Sequence, residues 1–228
     1  MPKSIYWADA YLEKRRRADE AMRVIRPGQR VFIGSACGQP QALVRALFET
    51  AGKLSGLEIV RLMSQETAAL TSLADQTQDS ALSIRTIYLG AANAETIARH
   101  KRFITPMNIS DVPDLFTSKK LPIQVALIQV SPPDDFGWMS LGVSVDVTLA
   151  AALAADLVIA QVNPQMPRVL GQSFIHVNQV HVVVEHTEPL LSVQPPPASE
   201  AATLIGKLIA RLIEDGSTLE LGIGEVAQ

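Results

Sequence analysis

The sequence predicts an α/β protein built on an open, mainly parallel β-sheet flanked by helices. Short apolar, β-branched segments alternate with stretches of helical character about 10–15 residues long, as in βαβ units. One apolar segment, residues 122–130, is almost continuously hydrophobic, which is typical of a strand covered on both faces. With 228 residues, of which 47% are hydrophobic, the chain is long enough for one large α/β domain or two small ones.

The first predicted element is a helix over residues 8–26, because apolar side chains recur on one side of it. These side chains are Tyr11, Ala18, Met22 and Ile25. Pro27 and Gly28 end the helix, since neither continues the pattern. A buried strand over 30–34 follows, and then a helix over 40–51 that is closed by a glycine.

The remaining elements continue the alternation. The predicted strands cover residues 57–63, 84–89, 122–130, 157–162, 180–185 and 218–221. The predicted helices cover residues 91–100, 144–155 and 199–214. Ser199 is expected to cap the last of these helices, because its side-chain oxygen can accept a bond from a backbone amide of the first turn.

The charge distribution argues against a nucleic-acid or anionic-membrane partner. The net charge is −3 and the isoelectric point about 5.8, so the chain has no broad basic field. The one basic run, residues 14–17, is followed by Asp19 and Glu20 at the i,i+4 spacing of a helix from Arg15 and Arg16. We therefore interpret the run as a solvated helix face.

The cysteine content and the hydropathy pattern predict a cytoplasmic protein without a membrane partner. Cys37 is the only cysteine, which excludes an internal disulfide and fits a reducing compartment. The amino-terminal residues lack the apolar core of a signal peptide. No segment approaches the roughly 20 apolar residues that span a bilayer.

A glycine-containing stretch, residues 33–40, leaves the first predicted strand and opens a helix. Open α/β sheets bind ligands at the carboxyl ends of their strands, and glycines let a ligand approach the backbone closely. The stretch lacks the GxGxxG pattern of dinucleotide sites. A ligand-binding loop and a tight turn without a ligand are equally compatible with it. Cys37 is interpreted as a small loop residue, since no histidine or aspartate is placed to activate it.

Two further loops also follow predicted strands. In residues 130–142, the adjacent Asp134 and Asp135 suggest acid–base work or a metal, but neighbouring loop positions usually point apart, so we favour a turn-stabilising role. In residues 161–168, Asn163 could orient a ligand amide or carboxylate, and Arg168 could pair with an anion. A proline-fixed loop with an exposed arginine explains the second loop equally well.

The other notable features are a histidine series and the end of the chain. The histidines at 176, 181 and 186 are five residues apart, which fits neither a helix face nor a strand face, so no metal site is predicted. Residues 221–228 form an apolar stretch and a glycine-rich turn whose amides could hold an anion or an oxyanion. We expect the chain to be the front part of a larger enzyme.

Five stretches, taken in order, resemble the acetyl-CoA hydrolase/transferase family, whose relatives include 4-hydroxybutyrate and succinyl-CoA:acetate CoA-transferases. They are residues 34–41, 131–142, 162–167, 175–177 and 222–224. The resemblance as a whole covers nearly the whole chain, from about Trp7 onward. The resemblance implies the CoA-transferase-like fold, a type that sugar-phosphate isomerases share in general form, usually as two similar halves.

The resemblance also implies a reaction, the transfer of CoA between carboxylic acids or to water. In the family a glutamate attacks the acyl-CoA thioester, which gives an acyl-glutamyl anhydride and then a glutamyl-CoA thioester. That glutamate is expected in a second half, so residues 1–228 are interpreted as an N-terminal domain truncated before it. The glutamates at 66, 185 and 225 are each in the wrong context for the role.

Within the chain, the resemblance implies that the backbone N–H of Val226 is an oxyanion donor, with Gly222 and Gly224 shaping its turn. The residues predicted to bind the substrate or CoA are Gly34, Ser35, Gly38, Gln39, Pro40, Asn163 and Gly222. The turns at 34–40 and 222–226 are expected to lie side by side at one sheet edge. The expected substrates are an acyl-CoA thioester and a carboxylate, with no bound cofactor and no metal.

Two alternatives stay open at this point. A sugar-phosphate isomerase-like enzyme or sensor would use the glycine loop for phosphate, but the first basic residue after Gly34 is Arg45, well inside the helix. A non-catalytic ligand-binding module is the other alternative. The fragment is expected to be inactive alone, because its nucleophile is missing, and the surface facing the missing half could make it self-associate into an oligomer.

Overall fold

Six α-helices, three short 3-10 helices and nine strands lie in the described part of a computed structural model of the chain. The structure describes residues 6–51, 53–62, 82–87, 102–193, 197–222 and 226. The helices are α1 Trp7–Lys14, α2 Ala18–Met22, α3 Gln41–Ala51, α4 Val112–Thr117, α5 Thr148–Ala154 and α6 Glu200–Ala210. The strands are β1 Arg30–Ile33, β2 Leu57–Arg61, β3 Leu82–Thr86, β4 Arg102–Ile104, β5 Val125–Val130, β6 Trp138–Ser140, β7 Leu157–Val162, β8 Phe174–His176 and β9 Val182–Glu185.

Seven of these strands form one sheet in the order β4-β3-β2-β1-β5-β7-β9, and every neighbouring pair is parallel. The chain builds outward from β1 to β4 on one side and from β5 to β9 on the other. The direction of building therefore reverses between β1 and β5. Open α/β sheets bind their ligands at such a reversal, beyond the carboxyl ends of the strands. The topology confirms the predicted fold class.

Alternate residues of the central strands face two separate cores on opposite sides of the sheet. In β1, Val31 and Ile33 belong to the core that α2 and α3 cover, whereas Phe32 belongs to the core that α4 and α5 cover. In β5, Leu127 and Ile128 divide in the same way. The antiparallel pair β6–β8 covers the second core as well. Burial on both faces explains the continuous apolar pattern of these strands.

The helix predicted over residues 8–26 is wrong in its middle. The chain becomes extended at Arg15, which pairs with Val183 of the edge strand β9, and the Arg16 amide donates to the Val183 carbonyl over 2.8 Å. This pairing satisfies backbone groups that an edge strand otherwise leaves open. The predicted ion pairs of Arg15 and Arg16 are wrong too, because Arg15 binds Glu185 at 2.7 Å and Arg16 donates to nearby carbonyls.

Two other predictions need correction. The strand predicted over 218–221 is wrong, since these residues join no sheet and the side chains of Leu219 and Leu221 are 55% and 71% exposed. Residues 130–142, predicted as a loop, contain the short strand β6, which pairs with β8. The helix predicted over 91–100 lies outside the described residues.

The chain divides into two compact units, residues 1–191 and 192–228. The second unit is built around α6, and the Ser199 side chain accepts a bond from the Ala202 amide at 3.1 Å, which confirms the predicted cap. Several apolar side chains of α6 are exposed, among them Leu204 and Leu208. Within the ranges that the structure describes, no helix combines the length and the apolar character needed to cross a membrane.

Candidate active site

The glycine loop, defined here as residues 34–40, begins where β1 ends and lies against β5. The Gly34 amide donates to the Leu127 carbonyl over 2.8 Å, and a Cβ at Gly34 would lie 3.3 Å from that oxygen. Ala36 has a φ of +47°, a left-handed conformation that is costly for a residue with a Cβ. Glycine at 34 thus allows a close approach, while the turn at 36 depends on contacts around it.

Side chains from the segment before α5 hold the first half of the glycine loop. Ser35 is fully buried, and its hydroxyl donates to the carboxylate of Asp146. Ser144 donates to the Ser35 carbonyl over 2.8 Å. A Cβ at Gly38 would lie 2.4 Å from the Ser144 Cβ, so the loop is seated directly on this serine. The predicted site residues Ser35 and Gly38 therefore both contact Ser144.

Three buried amide side chains and the backbone carbonyl of Gln39 connect the second half of the glycine loop to the neighbouring strands. The Gln129 side chain donates to the Gln39 carbonyl at 3.0 Å and accepts from Asn163 at 2.8 Å and from Gln161 at 3.2 Å. All four residues are at most 1% exposed. Because a buried amide is costly unless it is hydrogen-bonded, this network fixes the ends of β1, β5 and β7 relative to one another.

The amino terminus of α3, which follows Pro40, is already occupied by groups of the protein itself. The Ala42 amide lies 3.0 Å from the Gln161 side-chain oxygen and 3.1 Å from the Glu188 carboxylate, and both accept from it. The second carboxylate oxygen of Glu188 pairs with Arg45 at 2.6 Å. Helix amino termini attract negative charge, so Glu188 takes the place that an anionic ligand would fill there.

Asn163 is fully buried between the loop after β7 and the loop after β9. Its amide nitrogen donates to Gln129 and to the Glu188 carbonyl, each over 2.8 Å, and its oxygen accepts from the Gln165 amide at 3.0 Å. These contacts use both hydrogens of the amide nitrogen. The geometry gives Asn163 a role in fixing two loops, and its role toward a ligand stays a prediction.

The loop at 131–142 confirms the turn-stabilising role of Asp134. One carboxylate oxygen accepts from the amides of Phe136 and Trp138 at 2.9 and 2.8 Å, and the other pairs with Arg168 at 2.5 Å. Partial desolvation raises the pKa of Asp134, but the two amides and Arg168 together bring that pKa below its ordinary value. Asp135 contributes its backbone carbonyl, which accepts from the Trp7 indole.

The three histidines occupy separate environments. His176 accepts from the Asn178 amide at Nδ1, so Nε2 carries the proton and donates to the Phe136 carbonyl over 2.9 Å. His181 accepts from a backbone amide of β7, and burial, followed by the charge of Lys14, lowers its pKa. Among the described residues, no three histidine, cysteine, aspartate or glutamate side chains are grouped as a metal site would require.

The predicted oxyanion turn belongs to the second unit. Gly222 is exposed, and a Cβ added to it would meet no atom within 4 Å. Val226 is 43% exposed, and together with Leu221 and Gly222 it borders an apolar hollow on one face of α6. Gly224 lies outside the described residues. The role of these residues stays a prediction.

Sequence reasoning missed the residues that hold the glycine loop. Asp146 and Ser144 precede a short helix of small residues and carry no local motif. A signal did exist for the buried amides, because Gln129 and Gln161 each interrupt an otherwise apolar strand one residue before its end. The two glutamines are direct partners in the β5–β7 register. A polar residue at the same place in two adjacent buried strands indicates a shared polar site.

Comparison with known proteins identifies one family over most of the chain. The family model of the acetyl-CoA hydrolase/transferase N-terminal domain matches residues 3–195. The chain is 41% identical to the 4-hydroxybutyrate coenzyme A transferase of Clostridium kluyveri, over 96% of this chain and 51% of that protein. The chain thus spans about half the length of the curated relatives it matches.

Two solved structures share the fold. The 4-hydroxybutyrate CoA-transferase of Porphyromonas gingivalis is 31% identical, with a TM-score of 0.76 over 96% of this chain and 51% of that one. RipA from Yersinia pestis is 28% identical, with a TM-score of 0.87 over 97% of this chain and 53% of that one. Both agree with a CoA-transferase-like fold.

Proposed function

The chain belongs to the acetyl-CoA hydrolase/transferase family, and from this premise we propose that it is the N-terminal part of an acyl-CoA:carboxylate CoA-transferase. One observation carries the proposal: nearly the whole chain is similar to proteins named as CoA-transferases. If water replaces the acceptor acid, the same chemistry becomes the hydrolysis of an acyl-CoA.

The proposed reaction runs through a glutamate supplied by polypeptide outside this chain. Its carboxylate attacks the thioester carbonyl, and CoA leaves as the thiolate, which gives an acyl-glutamyl anhydride. The thiolate then attacks the glutamyl carbonyl, releases the first carboxylate and leaves a glutamyl-CoA thioester. An acceptor carboxylate reverses these steps and leaves as the new acyl-CoA. Covalent catalysis of this kind divides one difficult transfer into easier ones.

The residues of this chain bind and orient in this proposal. The Val226 amide stabilises negative charge that develops on the thioester oxygen, and Gly222 and Gly224 shape the turn that presents it. The glycine loop forms the acyl-CoA side of the cleft. Gly34, Ser35, Gly38, Gln39 and Pro40 are buried and shape this loop from within, and Asn163 supports it from the next loop. No cofactor takes part beyond the CoA thioester itself.

The contacts of α3 favour this proposal over a phosphate-binding enzyme. A phosphate at the glycine loop would need the free amino terminus of α3 and a cation beside it. Glu188 occupies that terminus, and its carboxylate also binds Arg45, the first basic residue after the loop. An anionic phosphate would meet a fixed negative charge at this point. The sugar-phosphate alternative therefore has no supporting observation at α3.

Three further properties belong to the proposal. We propose that the 228-residue chain alone exchanges no CoA, because it lacks the nucleophile. We also propose that the protein acts in the cytoplasm, because the single cysteine of residues 1–228 fits a reducing compartment. The exposed apolar side chains of α6 contact the remaining half of the protein, or a second copy of the chain when that half is absent.

The test is a thioester-exchange assay on the full-length gene product. The enzyme is incubated with acetyl-CoA and, in separate reactions, with 4-hydroxybutyrate, succinate, propanoate or butyrate, and the new acyl-CoA is measured by mass spectrometry. We expect at least one acid to be converted to its CoA thioester. Release of free CoA that is independent of any acid would identify water as the acceptor. An enzyme that consumes acetyl-CoA in none of these reactions would overturn the proposal.

A further inference from the structure

The carboxylate of Asp146 is the centre of a compact set of hydrogen bonds beside the glycine loop. One oxygen accepts from the Thr148 amide at 2.9 Å and from the Thr148 hydroxyl at 3.0 Å. The other accepts from the hydroxyl of Ser35 and lies 3.1 Å from that of Ser144. Both oxygens are therefore engaged, which suits a residue that holds its neighbours in place.

These bonds fix residue 35 at two points. The Ser35 hydroxyl has a single proton, which it gives to Asp146, and the Ser144 hydroxyl gives its proton to the Ser35 carbonyl over 2.8 Å. Ser35 is fully buried, so water does not compete for either bond. The side chain and the backbone of the glycine loop are thus both tied to the segment before α5.

The backbone on each side of this contact is strained. Ala36 in the glycine loop has a φ of +47°, and Asp146 has a φ of +21°. Residues with a Cβ rarely adopt such conformations, and they persist where surrounding contacts over-determine them. The bonds that the Asp146 carboxylate accepts from Ser35 and Thr148 supply such contacts. Ala36, where the backbone is strained, is the next residue in the chain after Ser35, which Asp146 holds.

The geometry points to Asp146 as a positioning residue that keeps the glycine loop in the shape that receives acyl-CoA. This inference rests on the proposed function, because it takes the loop as the acyl-CoA side of the cleft. Asp146 touches no reacting atom in this account. It acts through Ser35 and Ser144, and its loss loosens the loop while the sheet beneath stays folded.

The first test reads the loop directly and needs no enzymatic activity. Cys37 lies within the glycine loop, is half-buried and is the only cysteine of the chain, so its rate of reaction with a thiol reagent reports loop opening. In Asp146→Asn, one acceptor becomes an NH₂ group facing hydrogen-bond donors. We expect Cys37 to react about fivefold faster, the effect of losing about one net hydrogen bond. Ser144→Ala is expected to change the rate in the same direction.

The control is Asp111→Asn, which makes the same charge change at an exposed aspartate whose carboxylate contacts only Asn108 and Ser110 among the described residues. Its Cys37 rate should equal that of the unmodified chain. Melting curves of all variants identify any that unfold, and Ser144→Ala then carries the test. Equal Cys37 rates in folded Asp146→Asn, Ser144→Ala and unmodified protein would overturn the inference.

The second test measures catalysis in the full-length gene product. A loosened loop binds acyl-CoA less well, so we expect Asp146→Asn to raise the KM for acyl-CoA about fivefold and to leave kcat within about twofold. A merely structural loss would lower kcat through less active enzyme and leave KM unchanged. That pattern, or unchanged kinetics, would overturn the inference.

Failure of the inference and failure of the proposed function give different results. If the unmodified full-length protein transfers CoA to no acid and releases none to water, the proposed function fails, and the Cys37 rates still decide whether Asp146 holds the loop. If the unmodified enzyme is active and Asp146→Asn has the same KM, the inference alone fails.

Discussion

The two glycine-containing turns predicted to serve one active site differ sharply in their surroundings. In the glycine loop at 34–40, Ser35 is fully buried, and Gly38 has no room for a methyl group. At Gly222, a described residue of the second predicted turn, an added Cβ would meet no atom within 4 Å, and the preceding Leu221 is 71% exposed. Contacts within residues 1–228 therefore fix the shape of the glycine loop. Substitutions there should change stability, whereas we expect substitutions in the second turn to change activity alone.

The largest expected effect is that of Gly38→Ala. Its methyl group would lie 2.4 Å from the Ser144 Cβ, so the loop or the segment before α5 must shift, and the free energy of unfolding should fall by about 3 kcal/mol. Urea denaturation of the 228-residue chain measures this change. The matched variant Gly222→Ala should stay within about 0.5 kcal/mol of the unmodified chain. Equal stabilities of the two variants would break the comparison.

A smaller loss is expected from Glu188→Ala. This change removes an acceptor from the Ala42 amide and the partner of Arg45, and it should lower the free energy of unfolding by about 1.5 kcal/mol. Glu49→Ala, on the exposed side of the same helix, is the control and should change stability by less than about 0.5 kcal/mol. A Glu188 variant as stable as the control would show that the helix terminus does not depend on this carboxylate.

Ser199→Ala tests whether a change in the second unit affects the region around the glycine loop. The variant loses the cap of α6, which costs helices about 1 kcal/mol. We expect faster hydrogen exchange in the amides of α6 and unchanged exchange in the glycine loop and in α3. Faster exchange in both regions would mean that the two turns share one folding unit, contrary to the comparison.

The smallest expected effect concerns acid pH. The pKa of Asp134 is lower in the folded protein than in the unfolded chain, so its bonds stabilise the fold above the unfolded pKa of about 4, and this contribution is lost as the pH falls through the folded value. Asp134→Asn should lower stability at pH 7 by less than about 1 kcal/mol and by progressively less below pH 4. Urea midpoints of the variant and the unmodified chain, measured above and below about pH 4, check this, and a difference that stays the same at both pH values would contradict it.

Sequence patterns predicted those elements whose burial is decided by the sheet. The composition of residues 122–130 indicated a strand covered on both faces, and Val125–Val130 is buried throughout. Residues 157–162 were predicted as a further strand of the mainly parallel sheet. The sequence also predicted the Ser199 cap and the helix after it, because a capping residue and a helical period are local signals. Three of the loops at the carboxyl edge were located for the same reason, as each follows such a strand.

The predictions that were wrong, and the contacts that were missed, involve residues far apart in the sequence. The helical pattern over residues 8–26 breaks at Arg15 because the chain there pairs with Val183. Asp146 and Ser35 are 111 residues apart, and Glu188 reaches Ala42 over 146 residues, so no local motif identifies either contact. The side chains that shape the glycine loop therefore became visible only in the three-dimensional structure.

The most direct test of the central claim is the mass of the full-length protein after mixing with acyl-CoA alone. The account predicts a mass gain of one CoA less one water, which the addition of a free carboxylate reverses, and peptide mapping should locate the CoA on a glutamate beyond residue 228. A CoA adduct on a residue within 1–228, or no adduct while the enzyme exchanges CoA, would contradict the account.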